Sequence, residues 1–559
     1  MSLRQKGIRD IEPDEIFLDA KNLPKFDTNQ FEGRLERPIS RRAFVALGIV
    51  CALVFAGFFA RAFVLEVVRG EYYAARSDAN ALHATVLFAN RGVIFDRNGV
   101  KLAWNAPAAS GSPVALRKYD PAPGLGNLLG YVAYPQKDSS GFYYNDDFTG
   151  IGGAEKFFNG ELAGTDGKQL VESDVSGKVV SSSVVSPPSD GSDVTLSIDA
   201  DITSKLYGSI ASVAKQSGFT GGAGVIMDVD TGEVVAMTSF PGYDSQTMTD
   251  HTDAAAIKQM LSNKNNPFLD RVTDGLYAPG STVKPFVALA ALAENIIDPA
   301  TKILSTGSIT VPNPYDPSHP SVFKDWRAQG WVDMEHAIAV SSDVYFYEVG
   351  GGFEDQKGLG ISLIDKYMNM FGFGEDIPNG FFSGAGGTVP SPLWKAEHFD
   401  NEDWLIGDTY HTAIGQYGWQ VTPIQMARAV AAVANGGKLI APSILAGGNP
   451  SDLTEIPGMN RSYYDIVRTG MRMDVLGGVA TGLNVPYVAI AAKTGTAQIG
   501  AENQYLNSWV TGFFPYDKPK YAFALVMEQG PSTASVGGVA AIRQVLDWLS
   551  TAKPEYLKG

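Results

Sequence analysis

Hydrophobic and polar positions are arranged in three different ways along this chain. Residues 43–60 are uncharged and almost wholly apolar, and after Arg61 the run resumes over residues 62–65. That is long enough to cross a bilayer as one helix, with Arg61 snorkelling toward the far interface. A buried core helix would carry a polar stripe, and this stretch has none. Residues 66–190 are mixed and rich in turns. Within them, residues 91–103 predict two short strands joined at Asn98-Gly99, a hairpin signal. A Ser-, Pro- and Gly-rich connector covers residues 181–193, and a regular pattern starts at Val194, which sets a domain boundary near 193.

Beyond that boundary the period changes again. Residues 224–228 and 233–237 predict a hairpin rich in β-branched side chains. Residues 487–492, 509–514 and 521–527 predict three strands at hairpin spacing, adjacent and antiparallel. The last helix places Ile542, Val545, Leu546 and Leu549 on one face for that sheet. Between the two strand sets the pattern is helical, including residues 423–435 and the apolar run 287–292. The result is an α+β arrangement, an antiparallel sheet covered by helices with a helical insertion. The expected division is a tail (1–42), a membrane helix (43–65), a mainly-β domain (66–193) and the α+β domain (194–559).

Composition sharpens this picture in three places. The formal net charge of −16 argues against nucleic acid as a partner. Cys51, the only cysteine, lies in the apolar run, so neither an intrachain disulfide nor a Cys-based metal site can form. Arg34, Arg37, Arg41 and Arg42 crowd the start of that run, which places residues 1–42 in the cytoplasm and everything after 65 outside. Ala60-Arg61-Ala62 superficially resembles a signal-peptidase site. The long run and the 42-residue tail before it favour an uncleaved anchor. The tail mixes charge, Pro and Asn with few apolar residues, the composition of a disordered segment.

The chemistry gathers at Pro279-Gly280-Ser281-Thr282-Val283-Lys284-Pro285-Phe286. Pro279-Gly280 signals a turn, so Ser281 would open the helix with Lys284 three residues on along the same face. A serine hydroxyl becomes a nucleophile when a neighbouring base takes its proton, and a lysine can be that base if its charged form is disfavoured. Alone, Ser-x-x-Lys is a weak signal that far more often means a capping serine and a surface lysine. Two further stretches change the balance: Ser341-Ser342-Asp343 before the run 344–347, and Lys493-Thr494-Gly495-Thr496 closing the run 487–492.

In that order, the three motifs resemble those of penicillin-binding proteins and serine β-lactamases. Residues 91–103, then Gly153-Ala154-Glu155-Lys156-Phe157-Phe158 with Glu161-Leu162-Ala163-Gly164, also resemble the N-terminal domain of class B penicillin-binding proteins. There these segments form a pedestal for the catalytic domain, and only the short stretch 105–152 separates them here, so the usual head subdomain is trimmed or missing. Gly407-Asp408-Thr409, Ile414-Gly415-Gln416 and residues 421–426 resemble the segment between the second and third motifs. Ser-x-Asp, residues 280–285 and Lys324-Asp325-Trp326 resemble the elongation type. Some members of that type hold a metal, but Trp331 stands where its His is expected and no Cys lies outside the membrane, so neither zinc nor any cofactor is expected.

The resemblance implies a transpeptidase fold and acyl transfer from a peptidoglycan stem peptide ending in D-Ala-D-Ala, with β-lactams as inhibitors. Ser281 is the implied nucleophile and Lys284 its base, favoured as neutral amine by burial or by Lys493 nearby. Ser341 suits a proton relay. Backbone N–H groups of Ser281 and Thr496 are the implied oxyanion donors. Lys493, Thr494, Gly495 and Thr496 suit a substrate carboxylate. Asp343 departs from the commoner Asn: a carboxylate beside Lys284 favours the ammonium unless Lys493 or N–H donors share its charge, or unless it is only a structural acceptor. The implied partner is a membrane glycan polymerase of the shape, elongation, division and sporulation family. The alternatives are a D,D-carboxypeptidase or β-lactamase, or a non-catalytic β-lactam sensor or scaffold. The pedestal and anchor weigh against the hydrolases, and the short tail and intact motifs against the others.

Overall fold

Apolar side chains with nothing to pack against mark the first element. Helix α1 (Arg41–Phe63) loosens into a π turn at Val64–Val68, and none of its residues is buried. At 28 residues the continuous span is about 42 Å long at 1.5 Å per residue, enough for a hydrocarbon core of about 30 Å. The computed structural model describes residues 41–74, 82–108, 112–137, 143–173, 179–313, 316–377, 380–448 and 453–558. The tail expected to be disordered lies outside them up to Ser40. The chain divides into two units, Met1–Ala84 with Leu170–Ser183, and Thr85–Gln169 with Val184–Gly559. Helix α1 belongs to the first, and all that follows to the second.

The hairpin expected at Asn98-Gly99 forms between β1 (Ile94–Phe95) and β2 (Lys101–Ala106). Asp96 Oδ1 accepts from the Asn98 and Val100 N–H groups at 2.8 Å each, and Gly99 takes the left-handed conformation the turn needs (φ 82°). Strand β3 (Leu116–Tyr119) pairs with β2, and β4 (Val194–Thr195) pairs in parallel with β1. Behind this sheet the two segments quoted for the pedestal resemblance meet. Glu155 accepts from Arg91 Nε at 2.6 Å and from Arg117 Nε at 2.7 Å, with all three side chains fully buried. Arg117 also donates to the Gly92 carbonyl at 2.8 Å.

From there the chain runs through α2 (Ala200–Ser217), β5 (Gly221–Asp228), β6 (Val234–Phe240) and α3 (Lys284–Ala293). A hairpin, β7 (Ser308–Val311) and β8 (Ser321–Lys324), precedes α4 (Asp343–Gly351), α5 (Pro423–Asn435) and α6 (Arg461–Gly477). Strands β9 (Ala491–Ile499), β10 (Tyr505–Phe514) and β11 (Tyr521–Pro531) follow, then α7 (Gly538–Ala552). The main sheet has the order β6-β5-β11-β10-β9, antiparallel throughout, so β9 is an edge.

The sheet separates two apolar layers. On β11, Ala522, Ala524 and Val526 face one and Phe523, Leu525 and Met527 the other, the period-two alternation of a strand buried on both sides. Ile542, Val545, Leu546 and Leu549 of α7 are buried in the second layer as expected, each contributing about 1.5–3 kcal/mol over exposure. Helix α2 joins them there: a Cβ at Gly224 would sit 3.0 Å from the Leu206 side chain, so the glycine admits the helix. Helix α5 occupies residues 423–435 as predicted, opened by a Thr422–Gln425 capping box and closed by left-handed Gly436.

One predicted strand is shifted. Residues 487–490 are not strand, and β9 begins at Ala491 and carries the Lys493-Thr494-Gly495-Thr496 motif inside it. Val488 and Ile490 are apolar because they are buried in the second layer, while β-branched Thr494 and Thr496 continue the ladder to Ile499.

Glu155→Ala leaves two buried guanidinium groups facing one another. Thermal or urea unfolding of the full chain in detergent is expected to show a loss of about 3–5 kcal/mol, and a loss below 1 kcal/mol would mean that water reaches the cluster.

Candidate active site

The Ser281 turn is built by close backbone approach. Residues Gly280–Val283 form one 3-10 turn, and α3 starts only at Lys284, so Ser281 stands a turn ahead of the α-helix instead of opening it. Pro285 falls in the first turn of α3, where its missing N–H is tolerated. Gly280 is left-handed (φ 54°) and its N–H donates to the Gly415 carbonyl at 2.9 Å. A Cβ on Gly495 would lie 2.6 Å from the Pro279 carbonyl oxygen, so glycine there lets β9 close against this turn. The Ser281 hydroxyl is half-buried on the wall of a cavity of about 710 Å³ and makes no hydrogen bond among the described residues.

Lys284 has no solvent exposure. Its Nζ donates to the Ser341 carbonyl at 2.8 Å, to Ser341 Oγ at 3.3 Å and to Asp343 Oδ1 at 2.6 Å, and it lies 5.5 Å from the Phe346 ring centroid. Three oxygens thus meet its three N–H bonds. Ser341 reaches this position through a left-handed backbone (φ 56°), uncommon for a residue with a Cβ. Its neighbour Ser342 caps α4 by accepting from the Tyr345 N–H.

Asp325 holds this turn in place. Its Oδ2 accepts from Ser305 Oγ (3.0 Å), Ser342 Oγ (2.8 Å) and the Val344 N–H (3.2 Å), and its Oδ1 accepts from the Trp326 N–H (2.8 Å). The sequence singled out Lys324-Asp325-Trp326 as a mark of type only. Its physical task is to fix the Ser341-Ser342-Asp343 corner.

Lys493, also without exposure, does not face Asp343 as its nearest carboxylate. Its Nζ lies 3.5 Å from Asp474 Oδ2 and donates to the Thr494 carbonyl at 3.0 Å. Asp474 is itself fully buried on α6, and its Oδ1 accepts from the Val479 and Ala480 N–H groups at 2.6 and 2.8 Å. Burial pushes Lys493 down to about 8, opposed by the Asp474 carboxylate and reinforced by the Lys284 ammonium. Burial raises the Asp474 carboxyl, with Lys493 the largest opposing influence. The idea that Lys493 shares the charge of Asp343 is therefore modified: Asp474 is its partner. Asp474 continues the buried stripe Tyr464, Val467 and Met471, and an acid on an apolar stripe was the available signal.

Across the cavity from the Ser341 corner lie Thr494, Gly495 and Thr496 of β9. All eight residues singled out by the motifs therefore gather here, six on the wall and the two lysines behind it. The Gln416 side chain donates to the Thr496 carbonyl at 3.3 Å, which ties in the segment 414–416. The sequence did not single out His411, whose ring packs against Phe323 on this wall and whose basicity burial lowers. Among the described residues no three His, Cys, Asp or Glu side chains cluster to hold a metal.

Known proteins share this arrangement. The profile of the penicillin binding protein transpeptidase domain matches residues 222–546, and that of the penicillin-binding protein dimerisation domain matches residues 107–196. The peptidoglycan D,D-transpeptidase MrdA of Salmonella typhimurium is 28% identical, over 92% of this chain and 96% of its own. Pseudomonas aeruginosa PBP2, solved in complex with WCK 5153, superposes with a TM-score of 0.67 at 31% identity, over 85% of this chain and 100% of its own. A chain of a peptidoglycan synthase complex, solved for its coordination of polymerization and crosslinking, gives 0.68 at 26% identity over 91% and 98%. With the Ser281-Lys284 turn, the Ser341 corner and the edge strand β9 meeting as three sequence-distant motifs, and with both domain profiles matched, the chain belongs to the class B penicillin-binding proteins, in the transpeptidase family.

Proposed function

We propose that this protein is a peptidoglycan D,D-transpeptidase of cell elongation that works through an acyl-enzyme on Ser281. The observation that carries the reading is the buried Lys284 ammonium, held by Ser341 and Asp343 directly behind the Ser281 turn. Lys284, once it has given up a proton, takes the one from Ser281 Oγ as that oxygen attacks the penultimate carbonyl of a D-Ala-D-Ala stem. Ser341 Oγ, within hydrogen-bond reach of Lys284 Nζ, relays the proton to the departing D-alanine. Backbone N–H groups of Ser281 and Thr496 receive the oxyanion. Lys493, Thr494 and Thr496 hold the substrate carboxylate, with Gly495 admitting the close approach. An amine on a second stem peptide then takes the acyl group.

The wider reading follows the same lines. Residues 66–193 serve as pedestal and 194–559 as catalytic domain. Penicillins, which mimic the acyl donor, acylate Ser281. The relation to a chain of a peptidoglycan synthase complex supports a membrane glycan polymerase as partner. The apolar helix supports a membrane anchor, and the arginines before it an inside N-terminus.

Three experiments test this. Protease added outside intact spheroplasts is expected to remove everything but a small fragment holding the tail and α1, and full protection would reverse the orientation. Ser281→Ala is expected to abolish labelling by fluorescent penicillin without lowering thermal stability, and surviving label would sink the assignment. The third is the pH profile of penicillin acylation. The rate should show a falling limb above about pH 8, where Lys493 loses its proton and releases the carboxylate. Asp474→Asn removes the carboxylate that keeps Lys493 charged, so this limb should move to lower pH, the N–H acceptor being retained. A loss of rate at every pH with a fixed falling limb would mean that Asp474 only positions Lys493.

A further inference from the structure

A second cavity, of about 420 Å³, shares Gln416 and Gln498 with the one that holds Ser281. Its other walls come from residues 276–278 just before the Ser281 turn, from residues 417–420, and from the ends of β9, β10 and β11. Primary amides dominate its polar lining: besides the two shared glutamines it has Gln420, Asn507 and Gln529, with the Glu528 carboxylate among them. The side-chain amides of Gln420, Gln498 and Gln529 make no hydrogen bond among the described residues. Glu528 gives Oε2 to the buried Arg271 at 2.5 Å and remains 23% exposed. Two lining residues, Tyr417 (φ 64°) and Gln529 (φ 49°), are left-handed without being glycine. The β10–β11 register slips between Leu506 and Ser508, where Asn507 Oδ1 accepts from the Gln529 N–H at 2.9 Å. Bulges and such backbone conformations concentrate where a site is held in a set shape.

The proposed reaction uses two peptides, an acyl donor and an amine acceptor. We propose that this amide-lined groove binds the acceptor, an amine-bearing peptide, and delivers its amine past Gln416 to the ester on Ser281. The inference rests on the reading of Ser281 as the acylated residue. Free amides both donate to and accept from a peptide backbone, and the Glu528 carboxylate favours a cationic chain entering the groove. In the step itself the amine nitrogen bonds to the ester carbonyl carbon and the bond to Ser281 Oγ breaks. The proton lost by the amine returns to Oγ through Lys284, so a new amide and free serine result. Water arriving instead would give a carboxylic acid.

The test uses the full chain in detergent, a small acyl-D-alanyl thioester as donor and a tripeptide with a free lysine side-chain amine as acceptor. Mass spectrometry reads the ratio of amide to acid product as the tripeptide is raised. Gln420→Ala and Gln529→Gly remove two amides outside the first cavity, the second without straining the left-handed backbone. Penicillin labelling of Ser281 is expected to stay within about twofold of wild type in both. The tripeptide concentration at half-maximal amide yield should rise about tenfold, the size expected from one or two lost side-chain hydrogen bonds. An unchanged half-maximum in both variants, a wild-type ratio that never saturates, or acid as the only wild-type product would overturn the groove. Absence of wild-type penicillin label would overturn the Ser281 reading instead.

Discussion

A lysine ammonium shut away from water has to find its partners in the protein, and the centre of this molecule is arranged around that demand. An unpaired charge inside a protein costs several kcal/mol even after relaxation. Lys284 meets it with two oxygens of Ser341 and one of Asp343. Those three oxygens are in place only because Ser341 adopts a disfavoured backbone and because Ser342 and Val344 are bonded to Asp325. Asp325 in turn lies just past the end of β8, in the hairpin that forms one wall of the cavity. The Ser281 hydroxyl makes no such bonds among the described residues, which suits the nucleophile's part proposed for it.

Much of this was legible in the sequence, for a physical reason. Short motifs fix local geometry, so a turn before Ser281, a capped helix after Ser342 and β-branched residues around Lys493 each announce themselves. The amphipathic face of α7 and the limits of α5 are local as well, carried by spacing and by a capping box. What the sequence concealed are pairings between distant stretches. Asp474 and Lys493 are nineteen positions apart on different elements, and neither residue type is remarkable where it stands. Glu155 stands in a quoted motif and Arg117 in the shortened stretch before it, and their ion pair exists only once the sheet of β1 to β4 is folded. The strand β9 was displaced in the prediction because burial between helices and burial within a sheet both select apolar residues.

The join between the two domain profiles repeats the theme on a larger scale. Strand β4 follows the connector yet pairs with β1, so the hairpin and the chain beyond the connector share a sheet. Arg97 of the hairpin turn pairs with Glu233 at 3.2 Å, and Asn98 donates to Asp199, the cap of α2, at 3.0 Å. Asp199 also receives Lys553 at 2.6 Å and Tyr556 at 3.0 Å. The end of the connector therefore joins segments already held together by hydrogen bonds.

The position of β9 at the margin of the sheet has a consequence for selectivity. Only one side of this strand is paired, with β10, and the cavity opens along Thr494 to Thr496. A peptide laid on an unpaired strand is recognised through its main chain, and a main chain carries no record of which side chains it bears. Such an edge can therefore tolerate variety along a stem peptide while demanding that it be extended. In the function proposed above, discrimination falls to the end of the ligand, where the Lys493 cation meets its carboxylate. An enzyme built this way is selective for how a peptide terminates, and so a rigid bicyclic acid with the right terminus passes as easily as the peptide it imitates.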